Sequence, residues 1–175
     1  MDISQDFFSC YALPRDFAID LGVLRQTHRG LQQQHHPDRF VSQSDREQRR
    51  AVQITAYLNQ AFATLNKPLK RGIYLLQLQG MDPLVPTNTQ MPMDFLLQQI
   101  ELRECLEDMH QAQDPEAEID VMASQLIHQA NQLESDFAQA YALSDLKTAE
   151  TAVRKLQFIV KLQQQLSALE GALLD

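Results

Sequence analysis

The chain has 175 residues, a formal net charge of −8 and a hydrophobic content of 44%, a composition typical of a globular protein rather than of a disordered chain. Five Gly, no Trp and abundant Gln, Leu and Ala favour helices, so we expect an all-α protein. No apolar run approaches the roughly 20 residues of a membrane helix, and the first residues lack the basic start of a signal peptide, so we expect a cytoplasmic protein. The net negative charge disfavours nucleic acid as a partner.

The charge is divided along the sequence. Residues 1–80 carry 10 Lys and Arg against 7 Asp and Glu, whereas residues 81–175 carry 5 against 16. Between these halves, the segment GMDPLVPTNTQMP contains three prolines, which interrupt both flanking helical patterns. We therefore predict a first domain over residues 1–78, a linker over 79–92 and a second domain over 93–175.

Two long helices are predicted in the first domain, with a short helix on either side. Asp20 can cap a helix that ends near His36, because Pro37 disfavours the α conformation in the residue before it. Ser44, with Glu47 three residues later, predicts a capping box and a second helix that Pro68 ends. The first domain is thus an antiparallel helical pair with an exposed loop between its members.

Three helices are predicted after the linker, over about 94–112, 115–142 and 145–170. Asp94, Asp114 before Pro115, and Ser144 each stand where an N-cap oxygen belongs. Because the turns between these helices are very short, we expect an up-down-up three-helix bundle.

The loop of the first domain contains the sequence QHHPDRF. Taken alone, His36, Pro37 and Asp38 have a plain structural interpretation, in which Pro37 stops a helix and Asp38 caps a turn. A helical metal-dependent enzyme that uses His35, His36 and Asp38 is a weaker alternative, because adjacent loop residues rarely converge on one ion. Cys10 and Cys105 match no metal-ligand spacing, so we predict no metal and no cofactor. No nucleophile or oxyanion donor accompanies His36 and Asp38, so we predict no catalytic residue.

The residues that follow this loop carry a family resemblance. The segment LNQAFATLNKPLKRGIY is similar to the end of helix III and its continuation in J-domains of the DnaJ superfamily, and the matching positions are Asn59, Ala61, Phe62, Leu65, Pro68, Arg71 and Tyr74. The resemblance implies that the loop docks on a DnaK-class chaperone and accelerates its ATP hydrolysis. A positive patch around the loop, formed by Arg25, His28, Arg29 and Arg39, is compatible with docking on an acidic surface, and a solvated helix face is the alternative.

Over its whole length the chain resembles the HscB family of J-type co-chaperones of bacterial iron–sulfur cluster assembly, most clearly in FLLQQIELRECLEDM and TAVRKLQFIVKL. The resemblance implies that the J-domain recruits the chaperone HscA and that the bundle binds the scaffold protein IscU. It places the scaffold site at Leu96, Leu97, Ile100 and Phe158, with Glu101, Glu104 and Asp108 on its rim.

Helical spacing predicts the same face independently. On the helix that begins near Asp94, one stripe points inward and leaves Leu96, Leu97 and Ile100 elsewhere; the inward residues are Phe95, Leu102, Leu106 and Met109. On the last helix, Phe158 and Leu162 fall opposite an inward stripe formed by Leu146, Ala149, Val153, Leu156 and Val160. The alternative is that the bundle buries a wider arc and these residues are core.

The family resemblance implies a non-enzymatic co-chaperone with two protein partners, one for each domain, and we expect it to be a monomer. A J-domain protein with a different client is the main alternative.

Overall fold

In the computed structural model, which describes residues 2–84, 91–109 and 112–174, all regular elements of the described residues are helical, as predicted. The helices are α1 (Phe7–Cys10), α2 (Leu21–His35), α3 (Asp45–Leu65), α4 (Pro68–Leu78), α5 (Met93–Asp108), α6 (Pro115–Ala142) and α7 (Leu146–Leu174), with a 3-10 turn at Pro37–Phe40. Across the described ranges, no helix is long and apolar enough to cross a membrane.

The chain divides into two compact units, Met1–Leu78 and Gln79–Asp175. After α4, Gly80 adopts a φ of +79°, a left-handed conformation that glycine reaches without strain and that commonly follows a helix end. The predicted linker over 79–92 includes residues 85–90, which lie outside the described residues.

The helices of the first unit begin where their caps predict. Asp20 Oδ1 accepts hydrogen bonds from the backbone N–H groups two and three residues on, at 2.7 and 3.0 Å. Ser44 and Glu47 form the predicted capping box at the start of α3. Pro68 does not end α3, which already stops at Leu65; it opens α4, where its missing N–H has no helical partner to lose.

Two of the three predicted caps in the second unit are wrong. Asp114 accepts from the backbone N–H three residues on, at 3.1 Å, as predicted. Asp94 instead lies in the first turn of α5, whose N-cap is Pro92. Ser144 lies in the turn before α7 with a φ of +59°, and Asp145 accepts from the backbone N–H three residues on, at 3.2 Å.

Helices α2 and α3 pack side by side and antiparallel. Three contacts join their residues in reversed order: His35 with Thr55, Gln32 with Asn59, and His28 with Phe62. The apolar side chains beneath this pair are fully buried: Phe8, Leu24, Leu58, Leu65 and Leu75. The unit therefore presents the loop between α2 and α3 at one end of a rigid helical pair.

The second unit is built on α6 and α7, which form an antiparallel hairpin in which residues 133–140 face residues 147–155. Helix α5 packs on α7, where the rings of Phe95 and Phe158 meet edge to face at 5.8 Å. Burial confirms the inward positions of Ala149, Val153 and Leu156. Leu162 was predicted on the far side of α7, but it is only 3% exposed, because the helices packed against α7 cover a wider arc than one stripe.

Candidate functional site

The loop between α2 and α3 is a short, ordered turn. His36 leaves the helical conformation with a ψ of 130°, as expected for a residue before proline, and Pro37 opens the 3-10 turn. The backbone N–H of Asp38 donates to His36 Nδ1 at 3.3 Å. The side chains of His36 and Asp38 are 56% and 86% exposed, so both are available to a partner.

The imidazole of His36 is close to two groups of Asp38, the backbone N–H and the side-chain carboxylate. Its Nδ1 is 3.4 Å from Asp38 Oδ2 as well as within reach of the Asp38 N–H. A neutral ring with an unprotonated Nδ1 accepts from the N–H, whereas a protonated ring pairs with the carboxylate. In either state, residue 38 orients the ring of residue 36.

The cations beside the loop are exposed. Arg39 donates from Nη1 to the carbonyl oxygen of Gln33 at 3.0 Å, which ties the turn to the last turn of α2. Arg25 and Arg29 lie exposed on α2, and Arg29, His36 and Arg39 share a shallow cleft of about 470 Å³. Three of the four residues predicted for the positive patch therefore lie on the surface.

His28, the fourth predicted member of the positive patch, is a correction. It is only 8% exposed, and its ring stacks on Phe62 at a centroid distance of 4.1 Å. The Tyr11 hydroxyl donates its one hydrogen to Leu58 O at 2.9 Å, so His28 Nδ1 is the donor in the 2.8 Å contact between the two side chains. Burial lowers the pKa of His28, which favours the neutral ring, so His28 is not part of the exposed positive patch.

The motif residues of α3 and α4 hold the framework rather than the surface. Arg71 is buried, donates to Leu65 O at 2.6 Å and lies over the ring of Phe17 at 4.8 Å. The Tyr74 hydroxyl accepts from the Phe7 N–H at 3.0 Å, which fastens α1 to α4. These contacts explain the motif: its members fix the geometry that presents the loop.

No group of three or more His, Cys, Asp and Glu side chains within the described ranges is placed to hold a metal ion. The metal-dependent alternative with His35, His36 and Asp38 therefore finds no ligand set there. Burial, with a smaller contribution from Asp6, raises the pKa of the Cys10 thiol to about 11, so this thiol stays protonated and poorly nucleophilic.

In the second unit, α5 carries apolar residues on two sides. The inward stripe is confirmed for Phe95, Leu102 and Met109, which are 7%, 6% and 3% exposed, while Leu106 is half-buried. On the other side, Leu97 and Ile100 are 55% and 54% exposed. The core alternative is therefore wrong for Leu97 and Ile100.

The remaining members of the predicted scaffold site differ in exposure. Glu101, Glu104 and Asp108 are exposed on the same helix, and Leu96 is half-buried beside them. Phe158 is also half-buried, and it reaches α5 through the buried ring of Phe95. The exposed apolar part of the predicted site is thus Leu97 and Ile100 with an acidic border.

Sequence reasoning missed Lys155, which lies beside this region. Its ammonium group is over the ring of Phe95 at 5.2 Å, so a cation stands where the acidic helix meets α7. Its position three residues before Phe158, on the same side of α7, was the signal that could have found it.

Comparisons with known proteins agree with this architecture. Residues 91–167 match the family model described as the HSCB C-terminal oligomerisation domain. The chain is 38% identical over 173 residues to the Co-chaperone protein HscB homolog of Azoarcus sp. (strain BH72), covering 98% of this chain and 97% of that protein. It is 35% identical over 174 residues to the homolog of Shewanella baltica (strain OS195), covering 98% and 100%.

Solved structures give the same result. Chaperone HscB from Vibrio cholerae has a TM-score of 0.88 at 34% identity, covering 97% of this chain and 99% of that one. The human co-chaperone protein HscB has a TM-score of 0.90 at 26% identity, covering 97% and 84%. The monomeric state remains a prediction. The description of the matched family model refers to oligomerisation.

Proposed function

Because the chain belongs to the HscB family of J-type co-chaperones of iron–sulfur cluster assembly, we propose that it stimulates ATP hydrolysis by an HscA-type chaperone of the DnaK class and delivers the scaffold protein IscU to it. It does this in the cytoplasm, without a catalytic site or cofactor of its own. The observation that carries the proposal is the ordered, exposed His36–Asp38 turn at the end of the α2 and α3 pair.

The turn is suited to docking because the polar side chains of His36 and Asp38 are exposed and can contact a partner. Pro37 restricts the backbone, so little conformational entropy is lost when a partner binds. The exposed guanidinium groups of Arg25, Arg29 and Arg39 add a positive surface that steers encounter with an acidic partner. In this proposal, His36 and Asp38 supply the specific contacts and the arginines supply the electrostatic attraction.

The scaffold surface has the opposite chemistry. The side chains of Leu97 and Ile100 are about half exposed and offer apolar area to a partner. Glu101 and Glu104 lie beside them. Exposed apolar clusters with a polar rim tend to be interaction sites. We propose that the scaffold contributes an apolar spot bordered by basic groups, and that Leu96, Asp108 and Phe158 complete the contact.

The chaperone claim is tested by ATP turnover of the cognate HscA-type chaperone with increasing amounts of this protein. His36→Gln is expected to lower the stimulation by roughly tenfold or more, since hot-spot residues carry most of the energy of a docking contact. His35→Gln is the matched control, because it removes the neighbouring imidazole, which is half-buried, and leaves the turn intact. No stimulation by the native protein, or equal stimulation by both variants, would contradict the proposed chaperone contact.

The scaffold claim is tested by calorimetric titration with IscU. The double variant Leu97→Ala with Ile100→Ala is expected to bind about tenfold or more weakly. Val121→Ala with Ile127→Ala, an exposed apolar pair on α6, is the control and should change binding by less than about twofold. Chaperone stimulation without any IscU binding would favour the alternative of a different client.

A further inference from the structure

A second basic surface lies in the first unit, away from the turn. Arg46, Arg49 and Arg50 line a cleft of about 610 Å³ between the first turns of α3 and the N-terminal segment. We call it the arginine cleft; its other lining residues are Asp2, Ile3, Gln53 and Ile54.

The arginine cleft lies on the side of α3 that faces away from α2. Thr55, Asn59 and Phe62 contact α2 and mark the side of α3 that faces it. At 100° per residue, the three arginines lie about 120° to 180° around the helix axis from Thr55. The arginine cleft is therefore separate from the α2 surface of the proposed chaperone contact.

The arginines are placed unfavourably for the helix itself. Arg46 and Arg50 are four residues apart, and Arg49 is three from Arg46, so like charges face each other on one side. Arg46 also stands in the first turn, where the helix dipole disfavours a cation. Within residues 2–84, none of the three guanidinium groups forms a hydrogen bond or an ion pair; the nearby Glu47 is engaged with Ser44.

An anionic occupant would relieve both unfavourable terms, and the lining indicates its kind. Buried Ile54 and half-exposed Ile3 give the cleft an apolar part, which suits an aliphatic side chain. Guanidinium groups match carboxylates in fork geometry. The Asp2 carboxylate in the lining disfavours a compact, multiply charged phosphate.

We propose that the arginine cleft binds an acidic segment of a partner protein, in which carboxylates flank an aliphatic side chain. Bidentate pairs to Arg49 and Arg50 would hold the carboxylates, and Ile3 with Ile54 would cover the aliphatic group. This contact is independent of both surfaces of the proposed function.

The test uses fluorescence anisotropy with the full chain and a short fluorescein-labelled peptide in which pairs of glutamates alternate with single leucines. Arg49→Gln with Arg50→Gln is expected to weaken binding by roughly tenfold. The matched control, Lys67→Gln with Lys70→Gln, removes the same charge from the same unit at exposed positions outside the cleft and should have little effect. Asp2→Asn, which removes the only carboxylate among the described lining residues, should tighten binding.

Circular dichroism first checks that each variant keeps its helical signal. Absence of saturable binding, equal weakening by both double variants, or equal binding of a peptide with glutamines in place of glutamates would overturn the proposal. Displacement of the peptide by sodium pyrophosphate, where sodium chloride of equal ionic strength has no effect, would assign the cleft to a small anion instead and would also overturn it.

Discussion

The two units reach stability by different means. Of the twelve Phe and Tyr residues, eight lie in residues 1–78, and the core there joins rings to polar partners, as in the buried contacts of Tyr11 with His28 and Leu58 O. The second unit is an aliphatic packing of long helices, with Leu126, Val153 and Ile159 fully buried.

The two cores leave different surfaces for the proposed partners. The first unit has its apolar motif residues inside and offers polar side chains on a turn. The second unit leaves Leu97 and Ile100 exposed, because α5 has apolar residues on two sides and α7 covers only one of them. The surface at the proposed chaperone site is therefore polar and basic, and the surface at the proposed scaffold site is apolar with an acidic border.

The sharpest test of this comparison sets the two sides of α5 against each other. Leu102→Ala removes a 6% exposed side chain and is expected to lower the free energy of unfolding by about 2–5 kcal/mol. Leu97→Ala removes a 55% exposed one and should lower it by less than about 1 kcal/mol. Urea unfolding followed by circular dichroism measures both, and equal losses would contradict the two-sided description of α5.

In the first unit, the polar centre can be broken without removing apolar volume. Tyr11→Phe leaves the buried N–H of His28 without its acceptor and should lower the free energy of unfolding by about 1–3 kcal/mol. The control is Tyr57→Phe, whose hydroxyl donates to Gln5 O at the surface, with an expected loss below about 0.5 kcal/mol. Near-ultraviolet circular dichroism during urea unfolding follows this unit, since three of the four tyrosines lie in it. A small loss for Tyr11→Phe would mean that the core depends on apolar contacts alone.

A smaller effect is expected at the start of α3, next to the turn of the proposed chaperone contact. Ser44→Ala removes the capping box and should lower the free energy of unfolding by about 1 kcal/mol. Ser42→Ala, an exposed serine in the same loop outside the cap, should leave it unchanged. If the two serines behave alike in thermal unfolding, the cap does not stabilise the loop.

The smallest effect is a pH dependence confined to the first unit. Burial lowers the pKa of His28 below its ordinary 6.5, so the unfolded chain binds a proton more readily than the folded one. This contribution is complete above pH 6.5 and is lost as the pH falls toward the lowered value. The urea midpoint followed by tyrosine should therefore decrease between about pH 7 and pH 5. His28→Gln should reduce this slope, whereas His36→Gln, at an exposed position, should retain it; an NMR titration of His28 at or above 6.5 would contradict the cause.

Local signals predicted most of the elements. The caps at Asp20, Ser44 and Asp114 act between residues two or three apart, so the sequence contains all that they need. The caps predicted at Asp94 and Ser144 are wrong because the backbone path decides which residue stands at the start of a helix. Pro92 is the N-cap of α5, and at α7 the neighbouring Asp145 accepts the capping hydrogen bond instead of Ser144.

The helical class, the locally capped helix starts, the rigid turn at Pro37 and the periodic order of residues around each helix can be predicted from sequence, because they depend on neighbours along the chain. Which arc of each helix is covered depends on tertiary packing. In the first unit, packing buries His28 against Phe62. In the second unit, it buries Leu162 and leaves Leu97 and Ile100 exposed. Periodicity gives angles between side chains on one helix, but burial depends on where the other helices pack.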